Sequence, residues 1–241
     1  MPVLRGAGVH VTELRSANAG FDVDWTAGFV ERFAGAPLKN LRVTVGTASA
    51  RGEAVVTSYG VESGVFYALG AALREEIALN GSAIATIDLH PDRAAADLAG
   101  RLRHRRTGET TTTWLRRAGG LASVAIGLLR EATANELPAD ADEMAALIKA
   151  APLRLTGTQP LARALSTAGG VALADVDDVF MLRSVSGVFV AGEMLDWEAP
   201  TGGYLLQACF ATGRAAGQAA LSWISHSSKT GGPDRSYGRD R

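Results

Sequence analysis

The sequence predicts an α+β domain, followed by a shorter segment of the α/β type in which a strand, glycines and a helix succeed one another. Alternating, β-branched stretches indicate strands at 41–45, 53–57 and 83–89. Helical patterns then run from residue 92 to residue 149, and strands followed by a helical cluster are typical of α+β proteins. Finally, a buried apolar stretch at 188–190 leads through an acidic turn and glycines into a helix of very small residues at 204–224.

The remaining elements follow from local signals. A helix predicted at 65–80 ends at Gly81, because glycine tolerates the left-handed conformation of a C-cap. Asp140 is the predicted N-cap of the last helix in the cluster, since its carboxylate can accept hydrogen bonds from unpaired N–H groups in the first turn. The pattern further predicts a short strand at 9–14, a strand at 153–157, a short helix at 159–164 and a glycine turn at 166–171.

Composition excludes several classes of protein. The 24 basic and 25 acidic residues give a net charge of -1, which provides no global attraction for nucleic acid or an anionic membrane. The single cysteine, Cys209, excludes an intramolecular disulfide and fits a reducing compartment. No secretory signal and no apolar run of about 18 residues is visible, so the sequence predicts a soluble, cytoplasmic protein. The polar tail from Ser227 is predicted to be disordered.

Gly6-Ala7-Gly8 is the nearest approach to a dinucleotide-binding fingerprint. Val11 replaces the third glycine, and no apolar strand precedes the pair. Because the fingerprint carries meaning only between a strand and a helix, we interpret this match as chance.

The segment from Gly192 to Gly203 is the better candidate for a ligand site. Glu193 directly follows a predicted buried strand, where its carboxylate can accept hydrogen bonds from sugar or ribityl hydroxyls. Thr201-Gly202-Gly203 lacks large side chains, so its N–H groups can face an acceptor at the start of the next helix. The alternative is a glycine turn that caps a tightly packed helix, with Glu193 as a solvated or capping acid.

Phe189–Asp196 together with Thr201–Gln207 resembles the C-terminal flavin motif of the aminoacetone oxidase-like FAD-binding oxidoreductases. Thr167–Val171 resembles the second glycine turn of that family. Further stretches resemble its inserted domain, namely Phe21–Trp25, Arg32–Gly35, Pro37–Lys39, Arg51–Glu53 and Tyr59–Gly60. The similarity extends from about Pro2 to Leu221.

The resemblance implies an FAD-dependent oxidoreductase with a Rossmann-like FAD domain and an inserted α+β domain over the flavin. It implies a hydride transfer from a small substrate, an amine or aminoketone, to the flavin, without identifying a catalytic base or a metal ligand. The implied contacts are Thr167, Ala168, Gly169, Gly170 and Val171 along the isoalloxazine, Gly192 and Glu193 near the ribityl and pyrophosphate groups, and Thr201, Gly202, Gly203 and Tyr204 at the pyrimidine end.

One departure from the family pattern shapes the predicted architecture. The family carries a strand, a G-x-G-x-x-G turn and a helix before the insert, and this sequence has no such fingerprint. We therefore expect that the N-terminal Rossmann half is absent and that the chain corresponds to the C-terminal portion of a longer flavoprotein. The expected divisions are a remnant of the FAD domain at 1–21, the α+β insert at 22–151, the C-terminal part of the FAD domain at 152–225 and a disordered tail at 226–241.

Two other functions stay open. The chain could be an inactive fragment, or a half-enzyme that needs its missing N-terminal half or a partner chain to complete the site. It could also bind nucleic acid through the arginine cluster at 101–106, although the composition argues against this. We therefore expect a small-molecule substrate, no nucleic acid and no membrane as partners. Tyr59 and Glu62 are weaker candidates for contact with the substrate.

Overall fold

The computed structural model describes residues 2–227. The strands are β1 (Val11–Ala17), β2 (Phe21–Asp22), β3 (Pro37–Val45), β4 (Ala48–Val56), β5 (Gly60–Glu62), β6 (Ala83–Asp88), β7 (Ala151–Leu155), β8 (Gly157–Thr158) and β9 (Ser166–Val171). The α-helices are α1 (Pro2–Gly6), α2 (Ala27–Phe33), α3 (Gly64–Ala68), α4 (Gly70–Asn80), α5 (Ala95–Leu102), α6 (Thr111–Arg117), α7 (Ser123–Ala132), α8 (Ala141–Lys149) and α9 (Tyr204–Ser227). Short 3₁₀ turns occur at Leu161–Arg163, Leu173–Asp175 and Gly192–Met194.

The described chain divides into two compact units. The larger unit comprises residues 16–166, and the smaller comprises residues 2–15 with residues 167–227. In the larger unit, seven strands form one sheet in the order β7-β6-β3-β4-β5-β2-β8, with antiparallel pairing between neighbours. Its two ends lie side by side, since the side-chain amide of Asn18 donates to Ser166 Oγ at 2.7 Å and the Leu165 N–H donates to the Asn18 carbonyl.

The core of the larger unit lies between this sheet and the helices from α3 to α8. Alternate residues of β3 and β6 are buried, as expected for strands with one face on a core. Trp114 of α6 is 1 % exposed, and its indole N–H donates to the Leu102 carbonyl at 2.9 Å. A tryptophan at this depth needs such a partner, because an unpaired buried N–H is costly.

Two helix ends confirm the capping signals of the sequence. The Asp140 side chain accepts hydrogen bonds from the N–H groups of Asp142 and Glu143 at the start of α8. Gly81 ends α4 with φ of 74° and ψ of -8°, and its N–H donates to the Ile77 carbonyl. Both caps pair backbone groups that a helix end otherwise leaves without partners.

Several elements differ from the prediction. The stretches 41–45 and 53–57 belong to one long hairpin, β3–β4, because Gly46 has a φ of 53° that permits a tight turn before Ala48. The helix predicted at 65–80 is divided into α3 and α4 at Leu69. The stretch 188–190 is not a strand, since Phe189 forms only an isolated bridge with Met181. Of the tail predicted to be disordered, His226 and Ser227 lie in α9, and residues 228–241 lie outside the described residues.

The smaller unit is built around β1 and β9, which pair in a two-stranded sheet. Val171, at the end of β9, also forms a parallel bridge with Leu195. The core of the unit is a separate apolar cluster of Val9, Val11, Val171, Val176, Leu182, Val190 and Leu195. In contrast, α9 buries only Ala216 among its described residues. No helix within residues 2–227 has the length and apolar character needed to cross a membrane.

A partly buried ion pair in the larger unit gives a pH-dependent stability. The Glu109 side chain is 5 % exposed, and its two carboxylate oxygens accept hydrogen bonds from Arg117 Nε at 2.8 Å and Arg117 Nη2 at 2.7 Å. Hydrogen bonding by Arg117, together with the Arg106 N–H, lowers the pKa of Glu109 from 4.5 to about 2. A depressed pKa stabilises the folded state above the unfolded pKa, and this contribution is lost as the pH falls through the folded pKa.

We therefore expect Glu109→Gln to lower the melting temperature at pH 7, and the gap to wild type to close as the pH falls from about 4.5 to about 2. Thermal melts at several pH values would measure this gap. Glu136→Gln, at an exposed glutamate without an ion pair, is the control and should match wild type throughout. A melting-temperature difference between Glu109→Gln and wild type that is equally large at pH 7 and pH 2 would show that ionisation of Glu109 does not stabilise the fold.

Candidate cofactor site

The predicted glycine turn at 166–171 is strand β9, and its glycines are required by backbone packing. Gly169 has a φ of 90°, and a Cβ there would lie 2.2 Å from the carbonyl oxygen of Glu13 in β1. Gly170 has a φ of 136°, and its Cβ would lie 2.5 Å from the carbonyl oxygen of Met194. Only glycine fits at both positions, because β9 lies between two other backbones at close range.

Glu193 joins two of the segments that the sequence singles out. Its Oε1 accepts a hydrogen bond from the Thr167 N–H at 2.6 Å and another from the Thr167 hydroxyl at 3.1 Å. The other carboxylate oxygen, Oε2, makes no hydrogen bond within the described residues. The carboxylate is thus fixed in position through one oxygen, while the other keeps its capacity to accept a hydrogen bond from a ligand.

The turn that carries Glu193 is attached to α9 through Gly192. The Gly192 N–H donates to Thr212 Oγ1 at 2.9 Å, and its carbonyl accepts from the Trp197 indole N–H at 3.0 Å. A Cβ at Gly192, whose φ is 65°, would lie 3.1 Å from Cys209 Sγ. The backbone groups of Gly192 are therefore used within the protein, and its role is to hold the Glu193 turn against the helix.

The loop Thr201–Gly203 is open. Thr201, Gly202, Gly203 and Tyr204 are all exposed, and both glycines have positive φ, 111° and 88°. A Cβ at Gly203 would meet no atom within 4 Å. The hydrogen bond from the Gln207 N–H to the Gly203 carbonyl begins the ladder of α9, so the N–H groups before Gln207 in this turn have no partner in the helix. Such a terminus attracts negative charge.

The structure thus brings Thr167 and Glu193 into direct contact and leaves Thr201–Tyr204 exposed without a hydrogen bond to either residue. Ala168 and Val171 are buried on β9. Sequence reasoning missed Thr212, whose hydroxyl fixes Gly192, and Thr12, whose hydroxyl donates to the Asp196 carboxylate at 2.6 Å. Both contacts join residues far apart in the chain, so no local pattern could have indicated them. Within residues 2–227 no cluster of three His, Cys, Asp or Glu side chains is arranged to bind a metal.

A family model described as the HI0933-like protein Rossmann domain matches residues 1–219. The chain belongs to the HI0933-like family. This is a family of FAD-binding Rossmann oxidoreductases, which agrees with the flavoprotein character that the glycine and glutamate motifs indicate.

The match corrects one expectation. We expected the N-terminal Rossmann half to be absent because the sequence lacks a G-x-G-x-x-G turn, but the HI0933-like Rossmann model matches from residue 1 onward. That expectation was wrong. The fingerprint is a single short motif, whereas the family match extends over residues 1–219.

The arginine cluster of this HI0933-like protein is largely engaged in internal contacts. Arg103 forms two hydrogen bonds with the Asp142 carboxylate at 2.7 and 2.8 Å. The Arg105 guanidinium lies over the Trp114 ring at 4.6 Å from its centroid. These charges are neutralised or stacked within the protein, which weakens the nucleic-acid alternative.

Proposed function

We propose that this HI0933-like protein is an FAD-dependent oxidoreductase that oxidises a small amine or aminoketone, as its resemblance to the aminoacetone oxidase-like enzymes implies. The proposed flavin contacts are Thr167–Val171, Gly192 with Glu193, and Thr201–Tyr204, all in the smaller unit. Membership of an FAD-binding family supports the cofactor. The observation that carries the site is the contact of Glu193 with Thr167, which leaves Glu193 Oε2 available to a ligand.

The residues present fit a flavin in two respects. The open side of Gly203 allows a flat ring to approach the backbone at the start of α9 without a steric clash. A carboxylate oxygen without an internal partner can accept hydrogen bonds from the ribityl or ribose hydroxyls.

When bound, FAD supplies the acceptor for a substrate hydride and passes the electrons to oxygen or another acceptor. The chain's contribution is positioning and electrostatics. With FAD bound, the N–H groups and the positive dipole end at the start of α9 would be suited to stabilise negative charge on the pyrimidine part of the flavin. Glu193, fixed by Thr167, would accept hydrogen bonds from the sugar-like part of the cofactor.

The visible absorption spectrum of the purified chain, after incubation with FAD and desalting, tests the proposal. We expect flavin bands to persist in wild type and to be reduced at least tenfold in Gly203→Val, whose side chain would occupy the open face of the loop. The matched control is Gly108→Val, at an exposed glycine that also has a positive φ, 74°, and no atom within 4 Å of its Cβ. It should retain flavin as wild type does. A colourless wild-type protein would contradict the proposed function.

A further inference from the structure

The larger unit contains a second candidate site, a cavity that carries charges of both signs. It has a volume of about 340 Å³, and its polar lining includes Thr57, Tyr59, Glu62 and Arg163. Ligand sites of small molecules begin at about this size. All of these residues belong to one unit and lie outside the proposed flavin site.

Tyr59 contacts both charged side chains. Its hydroxyl donates a hydrogen bond to Glu62 Oε2, and the guanidinium of Arg163 lies over its ring, 4.9 Å from the centroid. Arg163 also donates a hydrogen bond to Gln159 Oε1 at 3.3 Å. Glu62 and Arg163 form no ion pair with each other, although they line the same cavity. Each therefore keeps hydrogen-bonding capacity that a ligand can use.

The backbone around Glu62 is held in an unusual conformation. Ser63 has a φ of 77° and a ψ of 172°, a region that is essentially restricted to glycine. A Cβ at Gly60 would lie 2.0 Å from the Phe21 carbonyl oxygen, and a Cβ at Gly64 would lie 2.5 Å from the Glu53 carbonyl oxygen. Strain of this kind is concentrated at ligand sites. The segment Gly60–Gly64 thus fixes Glu62 at the cavity wall.

Tyr59 keeps its proton throughout the physiological range. Burial and the hydrogen bond to Glu62 raise the pKa of Tyr59 to about 12. The phenol therefore remains a donor to Glu62 Oε2, and Glu62 Oε1 keeps its own capacity to accept a hydrogen bond. Through its contacts with both side chains, Tyr59 thus holds the Glu62 carboxylate and the Arg163 guanidinium in position without an ion pair between them.

We propose that this cavity binds a small zwitterion, with its ammonium group on Glu62 and its carboxylate on Arg163. A simple anion would be attracted by Arg163 and repelled by Glu62, and a simple cation would experience the reverse. Only a molecule that carries both groups satisfies both side chains at once. The planar guanidinium is suited to bidentate recognition of a carboxylate. The cavity belongs to the larger unit, and binding of a zwitterion there does not require the flavin.

Titration calorimetry with zwitterions of increasing charge separation tests the proposal. The probes are glycine, β-alanine and γ-aminobutyrate, and the single-charge controls are acetate and methylammonium. We expect at least one zwitterion to bind at least tenfold more tightly than either control. Equal affinities for zwitterions and single-charge compounds, or the absence of heat with all three zwitterions, would overturn the proposal.

Variants then assign the two ends of the ligand. Glu62→Gln and Arg163→Gln should each weaken binding of the preferred zwitterion at least tenfold. Arg154→Gln, at an exposed arginine outside this cavity, should leave it unchanged. The Glu62 and Arg163 substitutions each alter a contact with Tyr59. The melting temperature of each variant is therefore measured to establish that it is folded. Folded variants with wild-type affinity would also overturn the proposal. Flavin retention is read separately from the visible spectrum, so failure of this site and failure of the proposed function are distinguishable.

Discussion

Replacing Gly170 by alanine is expected to destabilise the protein by about 4 kcal/mol, because the change combines backbone strain with a steric clash. Its φ of 136° is unfavourable for a residue with a side chain, and the new Cβ would lie 2.5 Å from the Met194 carbonyl oxygen and 2.8 Å from the Leu195 carbonyl oxygen. Both contacts are with backbone, which cannot move aside as the end of a flexible side chain can. Relief requires β9 to separate from the Met194–Leu195 segment, which would break the bridge between Val171 and Leu195.

Urea denaturation measures this effect, with Gly213→Ala as the matched control. Gly213 lies on an exposed turn of α9 with no neighbouring atom within 4 Å, so alanine there should stabilise by up to about 1 kcal/mol through helix propensity. Insoluble Gly170→Ala beside soluble Gly213→Ala would likewise indicate that alanine at position 170 destabilises the fold. A Gly170→Ala protein within 1 kcal/mol of wild type would show that β9 does not pack as described.

Replacing Glu193 by alanine is expected to raise the dissociation constant for FAD by about 10- to 100-fold. Hydrogen bonds to charged groups contribute about 1.5–3 kcal/mol, and each 1.4 kcal/mol corresponds to a factor of ten in affinity. The variant would lose the proposed contact of Oε2 with a ligand hydroxyl. It would also leave the Thr167 N–H without the acceptor that now lies 2.6 Å away. Titration of the apoprotein with FAD, followed by flavin fluorescence, gives the affinity.

Two further variants separate the ligand contact from local structure. Glu193→Gln keeps an oxygen that can accept from Thr167 but loses the negative charge, so its loss of affinity should be smaller, about tenfold. Glu13→Ala removes an exposed carboxylate from β1 in the same unit and should bind FAD as wild type does. Equal affinities for wild type, Glu193→Ala and Glu13→Ala would exclude Glu193 from the site.

Sequence reasoning predicted those elements that depend on local signals. The Asp140 cap and the Gly81 end of α4 were correct because capping is decided within a few residues. The strand at 83–89 was correct to within one residue, as β6, since its alternation and β-branching are local too. The arrangement of the seven-stranded sheet was not predictable in detail, because it depends on contacts between β2, β5 and β8, which are short and far apart in sequence.

The glycines at 169 and 170 show why the rest of the site was harder to predict. In sequence, two adjacent glycines favour a turn. In the structure they lie in a strand, because the Glu13 and Met194 carbonyls approach from elsewhere in the chain and leave no room for a Cβ. The sequence likewise identified Thr167 and Glu193 as members of separate motifs, yet their hydrogen bond depends on the same tertiary packing. The sequence could name candidate residues, but it could not predict the contacts between them.

The contact between Asn18 and Ser166 has a consequence for the order of folding. These residues are 148 positions apart, and closing an unfolded loop of that length costs about 4 kcal/mol of chain entropy. The larger unit is continuous in sequence, so it can fold by itself as it emerges from the ribosome. Once it has folded, Asn18 and Ser166 are already adjacent, and β1 and β9 begin their pairing from neighbouring points. Folding of the larger unit thereby removes most of the loop-closure entropy that the two segments of the smaller unit would otherwise lose when they pair.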